Sequence, residues 1–292
     1  MTTRRFNSAD SSAAAAIVAL ARSREDDGID PFPPSIEVEV LADAGARGKG
    51  NECHPRVAAD GSTVVGYGIV DYSPDMIRAQ LLGPIVHPDH RGKGHGKRLL
   101  YDLLDQARTA RQKTVRACVA ARNAAGRRLL EGAGFKSVEK HLCLRMAKPE
   151  IIPTFEVEGV TLRRMEYEDA DEAHAYLRRN VPRTARQTRS LLKSDDYAVV
   201  LAFHGKEAVG VVEVEMRYGD PARVEFLEGN SDLLQRGLGN ALFAAAVRIA
   251  FSNAACQHLE FLVPGGDQSR VDAHRSAGFR ERGEFACYEL KL

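Results

Sequence analysis

Tryptophan is absent from this sequence and cysteine occurs only five times. The five, Cys53, Cys118, Cys143, Cys256 and Cys287, make no CxxC pair and no zinc-type spacing, so neither a dithiol motif nor a cysteine-held metal is indicated and no metal site is expected. An odd, scattered set also reads as reduced, which fits a cytoplasmic protein. Long apolar runs are missing too: no window approaches the roughly 20 residues of a membrane span, so no membrane partner is expected. Neither sign of charge prevails, 41 Lys and Arg standing against 40 Asp and Glu for a net of +1. Without a general basic surface, no nucleic-acid partner is expected. A clear secretory leader is lacking as well. The run AAAAIVALA follows Arg4 and Arg5, but it is short and Asp10 interrupts the approach, so it reads as a first amphipathic helix.

What is present is length enough for two cores. At 292 residues, with 44% hydrophobic and 28% charged side chains, the chain suits two globular domains of about 150 residues each. The sequence repeats accordingly. RRFNSAD from Arg4 is similar to RRMEYED from Arg163, an offset of 163 − 4 = 159, and each leads into a helix-like stretch. Toward the other ends GAGFKSVEKHLCLRM is similar to SAGFRERGEFACYEL, with Gly134-Phe135 matching Gly278-Phe279 and Cys143 matching Cys287, both at an offset of 144. The difference, 159 − 144 = 15, places about 15 extra residues in the first copy, around GARGKGNECHPR. Pro149 and Pro153 punctuate a linker, giving domains 1–150 and 151–292.

In the second copy YAVVLAFH, EAVGVVEVEMRY and RVEFLE read as successive strands with turns at Gly205-Lys206 and Asp220-Pro221; the first copy offers STVVGYGIVDY and IRAQLLGPIV. A helix follows each glycine-containing loop, then a strand (TVRACVA or HLEFLVP), a second helix, and a final strand after Gly-Phe. That order is α/β with a mixed sheet.

The stretch HPDHRGKGHGKRLL, residues 87–100, sets Gly92, Gly94 and Gly96 among Arg91, Lys93, Lys97 and Arg98. Leu99, Leu100, Leu103, Leu104 and Ala107 then recur at helical spacing, so the glycines enter a helix N-terminus. Such an end offers unpaired backbone N–H groups and a positive dipole pole, and glycine lets an anion approach closely. On the loop alone, a glycine-rich turn with solvated lysines is an equal reading. Two phosphate motifs fail on spacing. A Walker loop needs glycine where Arg91 stands and Ser or Thr where Arg98 stands. The dinucleotide fingerprint needs a third glycine that is missing.

What remains is R-x-x-G-x-G, carried by Arg91, Gly94 and Gly96, with the strand LLGPIVHPDH before it, a helix after it, and NAAGRRLLEGAGF from Asn123 to Phe135 downstream. At these motifs, and over both halves of the chain, the sequence resembles the GNAT superfamily of N-acetyltransferases. The resemblance implies two tandem GNAT-like domains, each a mixed, mostly antiparallel sheet flanked by helices. It implies transfer of an acetyl group from acetyl-CoA to the amine of a small molecule or peptide. It implies that Arg91, Gly92, Lys93, Gly94, His95, Gly96 and Lys97 hold the pyrophosphate of acetyl-CoA. Ile85 and Val86, on a strand that splays from its neighbour, would pair with the pantetheine arm, because a backbone N–H without a strand partner needs another acceptor. Asn123 matches a position near the cofactor.

The second loop, SDLLQRGLGNALFAAAV, allows two alignments. Matching Arg236 to Arg91 gives R-x-x-G-x-A through Gly239 and Ala241 but puts Arg248 on Leu103. Matching Gly237 and Gly239 to Gly94 and Gly96, an offset of 143, overlays Leu242, Phe243, Ala246, Val247 and Ala250 on the first helix's apolar face. Helix phase favours the latter. Leu234 then replaces Arg91, Gly229-Asn230-Ser231 replaces Val86-His87-Pro88, and the second domain is expected to have a degenerate cofactor site.

Groups for proton transfer divide the other way. Where the family often has a tyrosine acid, four residues before Gly134, stands Leu130, and the fourth strand offers Gln80 in place of a glutamate base. The second copy has His274 and Glu225 or Glu228 at those places. Asp71 and Tyr72 are helpers at most, and a structural role is the plainer reading of each. No catalytic residue is assigned, and catalysis by positioning is the fallback. The competing function is a non-catalytic acyl-CoA-binding or regulatory protein that kept the loop and lost base and acid. The acidic run SREDDGID, residues 23–30, either attracts a cationic acceptor or is merely solvated.

Overall fold

In the computed structural model of the chain, the described residues are 2–23, 52–72, 78–152, 154–179, 184–216, 221–265, 271–272, 274–275 and 277–292. The acidic residues Glu25, Asp26 and Asp27, and residues 45–51 of the expected insertion, lie outside them. The elements of the first copy are β1 (Thr2–Arg5), α1 (Ser11–Ser23), β2 (Glu52–Asp60), β3 (Thr63–Tyr72), β4 (Arg78–Val86), α2 (His95–Thr109), β5 (Thr114–Ala120), α3 (Ala124–Gly132) and β6 (Lys136–Ala147). Those of the second are β7 (Val160–Arg164), α4 (Ala170–Leu177), α5 (Ala185–Leu192), β8 (Tyr197–His204), β9 (Glu207–Glu215), β10 (Ala222–Gly229), α6 (Ser231–Gln235), α7 (Leu238–Ser252), β11 (His258–Pro264) and β12 (Arg280–Lys291).

The run AAAAIVALA is a helix, as its composition predicts, and Ala14, Ile17 and Val18 are buried among its described side chains. The repeat seen in RRFNSAD and RRMEYED has a physical basis. Arg4 forks onto Asp10, whose carboxylate also accepts from the Asn7 N–H; Arg163 bonds Asp169, which accepts from the Glu166 N–H. Each arginine thus locks the turn by which the first strand enters its helix. Strand β2 was not expected. ECHPRVAAD carries a proline and no alternation, yet it pairs with β1 on one edge and β3 on the other, so tertiary context overrides propensity.

The chain forms two compact units, Met1–Leu142 with Pro264–Gly266 and Gly283–Leu292, and Cys143–Val263 with Asp267–Arg282. This is not the split at 1–150 and 151–292 expected from the prolines. The chain's last strand belongs to the first unit because its backbone pairs antiparallel with β5, from Phe285 opposite Ala120 to Lys291 opposite Thr114. In the first unit the strand order is β1, β2, β3, β4, β5, β12, antiparallel except for β4 against β5. One face of α2, Leu99, Leu100, Leu103, Leu104 and Ala107, packs with Leu81, Val115, Ala117 and Tyr288 into the core of this unit. In the second unit β7, β8, β9, β10 and β11 follow in order, with β10 and β11 parallel.

The expectation that the cysteines are reduced is corrected here. Cys118 and Cys287, 169 residues apart, are joined by a disulfide. They stand directly opposite each other on β5 and β12, a juxtaposition that spacing along the sequence cannot reveal. Cys143 and Cys256 take part in no disulfide and are buried. Burial pushes the Cys143 thiol up to about 12, which rules it out as a thiolate nucleophile at neutral pH.

Candidate functional site

Strands β4 and β5 run parallel and pair only from Arg78 opposite Thr114 to Leu81 opposite Ala117. Beyond that step β4 keeps its partner on the other edge, Ile85 opposite Tyr67 and Val86 opposite Gly66, while β5 continues against β12. The two strands therefore part, and a cleft of about 390 Å³ opens there. Gly83, Pro84, Ile85 and Val86 form one wall; Ala117, Cys118 and Val119 form the other.

The cleft ends at the start of α2. Gly94 is the N-cap residue, with φ of 82° in the left-handed region, and no side chain caps the helix. That conformation is costly for residues with a Cβ, which is why a glycine stands there. The first turn, His95, Gly96 and Lys97, therefore presents N–H groups and the positive dipole end to the cleft. Arg91 and Lys97 add charge from exposed positions, and Arg91 bonds the Val86 carbonyl through Nε at 3.0 Å.

Of the positions singled out in the sequence, Ile85, Val86, Arg91, Gly92, Gly94, His95, Gly96, Lys97 and Asn123 all border this one cleft. Lys93 does not; its Nζ donates to the Asp89 carbonyl at 3.2 Å. Asn123 has a structural task as well, capping α3 through its Oδ1, which accepts from the Gly126 N–H at 2.8 Å. His95 is 2% exposed. Burial holds its pKa below the ordinary histidine value, against the pull of Asp60.

Proton-transfer candidates fall out differently. Leu130 is buried and borders the cleft. Gln80 pairs with Arg116 across the parallel step just before the strands part. Because alternate residues face opposite sides of a sheet, Arg116 points away from the α2 face that Val115 and Ala117 pack against. On that opposite side Arg116 bonds Glu139, and Glu139 lies 3.1 Å from His141 Nε2. The other ring nitrogen of His141, Nδ1, is shielded and has no hydrogen-bond partner. Sequence reading missed this group, since Glu139 and His141 follow the Gly-Phe turn in a segment read only as a closing strand; their i, i+2 spacing on one face was the available signal.

The second unit repeats the backbone plan. Helix α7 begins 238 − 95 = 143 residues after α2 and ends 252 − 109 = 143 after it, and its N-cap Gly237 has φ of 97°. Strands β10 and β11 pair only from Ala222 opposite Leu259 to Val224 opposite Phe261. The side chains differ. Leu234, at the step of Arg91, reaches over the loop: a Cβ on Gly229 would lie 3.2 Å from its Cδ2, and one on Gly239 3.5 Å. His274 is packed among Phe261, Phe243 and Phe279 at ring distances of 4.7, 5.7 and 5.8 Å. At the step of Arg116 stands Glu260, 1% exposed, with Arg145 at 2.6 Å, Arg282 at 3.0 Å and Arg223 at 3.6 Å.

Comparison with known proteins agrees with this geometry. The acetyltransferase (GNAT) family model matches residues 17–135 and again residues 161–279. A mycothiol acetyltransferase from Clavibacter sepedonicus is 27% identical over 289 residues, covering 91% of this chain and 88% of that protein. A tandem GNAT protein from the clavulanic acid biosynthesis pathway superposes with a TM-score of 0.73 at 14% identity, over 99% of this chain and 98% of that one. A GCN5-related N-acetyltransferase from Sphaerobacter thermophilus gives a TM-score of 0.75 at 19% identity, over 99% and 95%. At such identities the two solved structures speak to the fold. Among the described residues no helix is long and apolar enough to cross a membrane.

Proposed function

The chain belongs to the acetyltransferase (GNAT) family, which its two halves match in turn, and on that premise we propose that the first unit transfers an acetyl group from acetyl-CoA to the amine of a small molecule or peptide. One observation carries the reading: β4 and β5 part after Leu81 and Ala117, and the cleft between them ends at a helix N-terminus that no side chain caps. The residues present suit such a ligand. The first turn of α2 with Arg91 and Lys97 suits a diphosphate. The β5-facing edge of β4 at Ile85 and Val86 suits an amide-bearing arm, because its backbone groups have no strand on that side. When bound, acetyl-CoA supplies the activated thioester.

The protein's own task is to orient the amine and let its proton leave. With an amine pKa near 10.4, only about 0.04% is neutral at pH 7, so deprotonation costs roughly 4 to 5 kcal/mol without assistance. We assign that assistance to positioning at the mouth of the cleft, with water carrying the proton. Arg116, Glu139 and His141 pair on the face away from α2 and are not among the residues that line the cleft. The second unit is read as a degenerate cofactor site, on the strength of Leu234 in place of Arg91.

Titration calorimetry of acetyl-CoA into the wild type, Arg91→Ala and Arg236→Ala tests the assignment, followed by turnover on a panel of amines that begins with the amine substrate of mycothiol acetyltransferases. The expected result is one site, weakened about tenfold, or about 1.4 kcal/mol, by Arg91→Ala alone. A loss confined to Arg236→Ala would move the site to the second unit. Binding without turnover on any amine would favour a non-catalytic acyl-CoA-binding protein.

A further inference from the structure

We propose that Asp60, His90 and His95 form a binding site for a divalent transition metal of the zinc class, in the first unit beside the glycine loop. The three residues come from separate segments. Asp60 ends β2 at its turn into β3, His90 closes a short 3-10 turn at Pro88–His90, and His95 opens α2. One potential ligand atom from each lies within 4.8 Å of the other two. His90 Nδ1 and Asp60 Oδ2 are 3.9 Å apart, too far for a hydrogen bond. Four-coordinate zinc, with bonds of about 2.1 Å, sets its ligand atoms about 3.4 Å apart. The His90–Asp60 pair is therefore about half an ångström wider than in a filled site, and the other separations, within 4.8 Å, exceed it by at most about 1.4 Å, a gap for side-chain rotations to close.

A second, independent observation points the same way. His95 is 2% exposed, and the Nδ1 atoms of both His95 and His90 are shielded with no hydrogen-bond partner. A buried polar atom left unpaired costs about 1–3 kcal/mol, and two such nitrogens, on neighbouring rings whose centroids are 6.1 Å apart, are explained together by one ion. The donor set defines the class of ion. Two imidazoles and a carboxylate suit zinc, nickel or copper, whereas magnesium and calcium favour an all-oxygen set. Three protein ligands also leave a position open for water or a substrate atom.

The consequence is local. Such an ion ties the β2–β3 turn to the loop that begins α2, and because His90 and His95 both border the cleft, it places positive charge next to the proposed diphosphate cradle. Spacing along the chain does not announce this site, since Asp60 is 30 residues from His90 and no cysteine takes part.

The test uses full-length protein freed of any histidine tag and dialysed against a chelator. Zn²⁺ is titrated calorimetrically, and Co²⁺ is followed by its visible absorption. The expected result is one ion per chain with a four-coordinate Co²⁺ spectrum, and at least tenfold weaker binding in Asp60→Asn and in His90→Gln. Both side chains are partly exposed, at 50% and 29%, so these variants keep the fold; His204→Gln, on β8, serves as the control and binds as the wild type does. No ion bound by the wild type, or equal affinity in Asp60→Asn and His90→Gln, would overturn the proposal. Neither readout depends on acetyl-CoA.

Discussion

Helices α2 and α7 each have fifteen residues and start from a glycine in the left-handed region, yet their surroundings differ. Around α2 one face is buried and the approach is an exposed loop bearing Arg91, Lys93 and Lys97. Around α7 the apolar contact is broader, with Leu238, Ala241 to Val247, Ala250 and Phe251 all buried, and the approach is a helical turn whose Leu234 overlies the glycines. Both copies keep the truncated parallel pairing that opens the sheet. The plan of the backbone thus outlasts the side chains that make it a phosphate site, as expected when function is carried by particular groups set on a shared fold.

The same contrast extends to the far face. The Arg116 step of the first unit carries Glu139 and His141, while the equivalent step of the second carries a buried Glu260 clasped by arginines. The largest expected effect lies at the two loops. Arg91→Ala combined with Gly94→Val, which sets a branched side chain at a φ of 82°, should weaken acetyl-CoA binding about 100-fold, since about 1–2 kcal/mol of left-handed strain adds to the lost charge contact. Gly237→Val, at the same place in the second unit, should change it less than twofold. If Gly237→Val abolishes binding and the first-unit variant does not, the cofactor belongs to the second unit and the comparison is reversed.

How much of this was legible in the sequence depends on how far apart the partners lie along the chain. The glycine loop, its helix and the repeat are local patterns, and the offset of 143 is fixed by helix phase through residues such as Arg248, which has no place on the Leu103 face. The meander of β8, β9 and β10 is equally local, with its turn at Gly205-Lys206. What escaped was non-local. Pairing of the last strand with β5 decides which unit owns residues 283–292, and neither strand carries a mark of its partner. The disulfide is invisible for the same reason, and so are the ion group at Arg116 and the meeting of Asp60 with His90 and His95. Strand β2 was lost because Pro55 outweighed its pairing on both edges.

The disulfide sharpens the comparison next, because the buried thiols Cys143 and Cys256 both belong to the second unit, whereas the cross-linked pair belongs to the first. Closing a loop of 169 residues restricts the unfolded chain, and removing such a link typically costs about 2–4 kcal/mol. Urea unfolding followed by hydrogen exchange should show the first unit losing protection in Cys287→Ser, or in the wild type under reductant, while the second keeps it. An unchanged midpoint under reductant would mean the thiols are not linked in solution.

The smallest expected effect concerns the two entry turns. Arg4, as a hydrogen-bond donor, holds the Asp10 carboxyl below its usual range against the opposing effect of burial; at Asp169 the Glu166 N–H is the main cause, with Arg163 assisting. A carboxylate whose folded pKa is depressed adds stability that is present above its unfolded value, near 3.9, and is lost as the pH falls through the lower folded value. Asp10 is the better shielded, its side chain 5% exposed against 23% for Asp169, so its pairing is less screened by solvent. Asp10→Asn should cost about 1 kcal/mol at pH 7, the scale of a lost helix cap, and Asp169→Asn less. Both penalties should shrink below pH 4, where the unfolded chain binds protons at these carboxylates more readily than the folded chain does. Thermal melts at pH 7 and pH 3.5 measure this directly, and a larger penalty for Asp169→Asn would show that shielding does not set the strength of the shared turn.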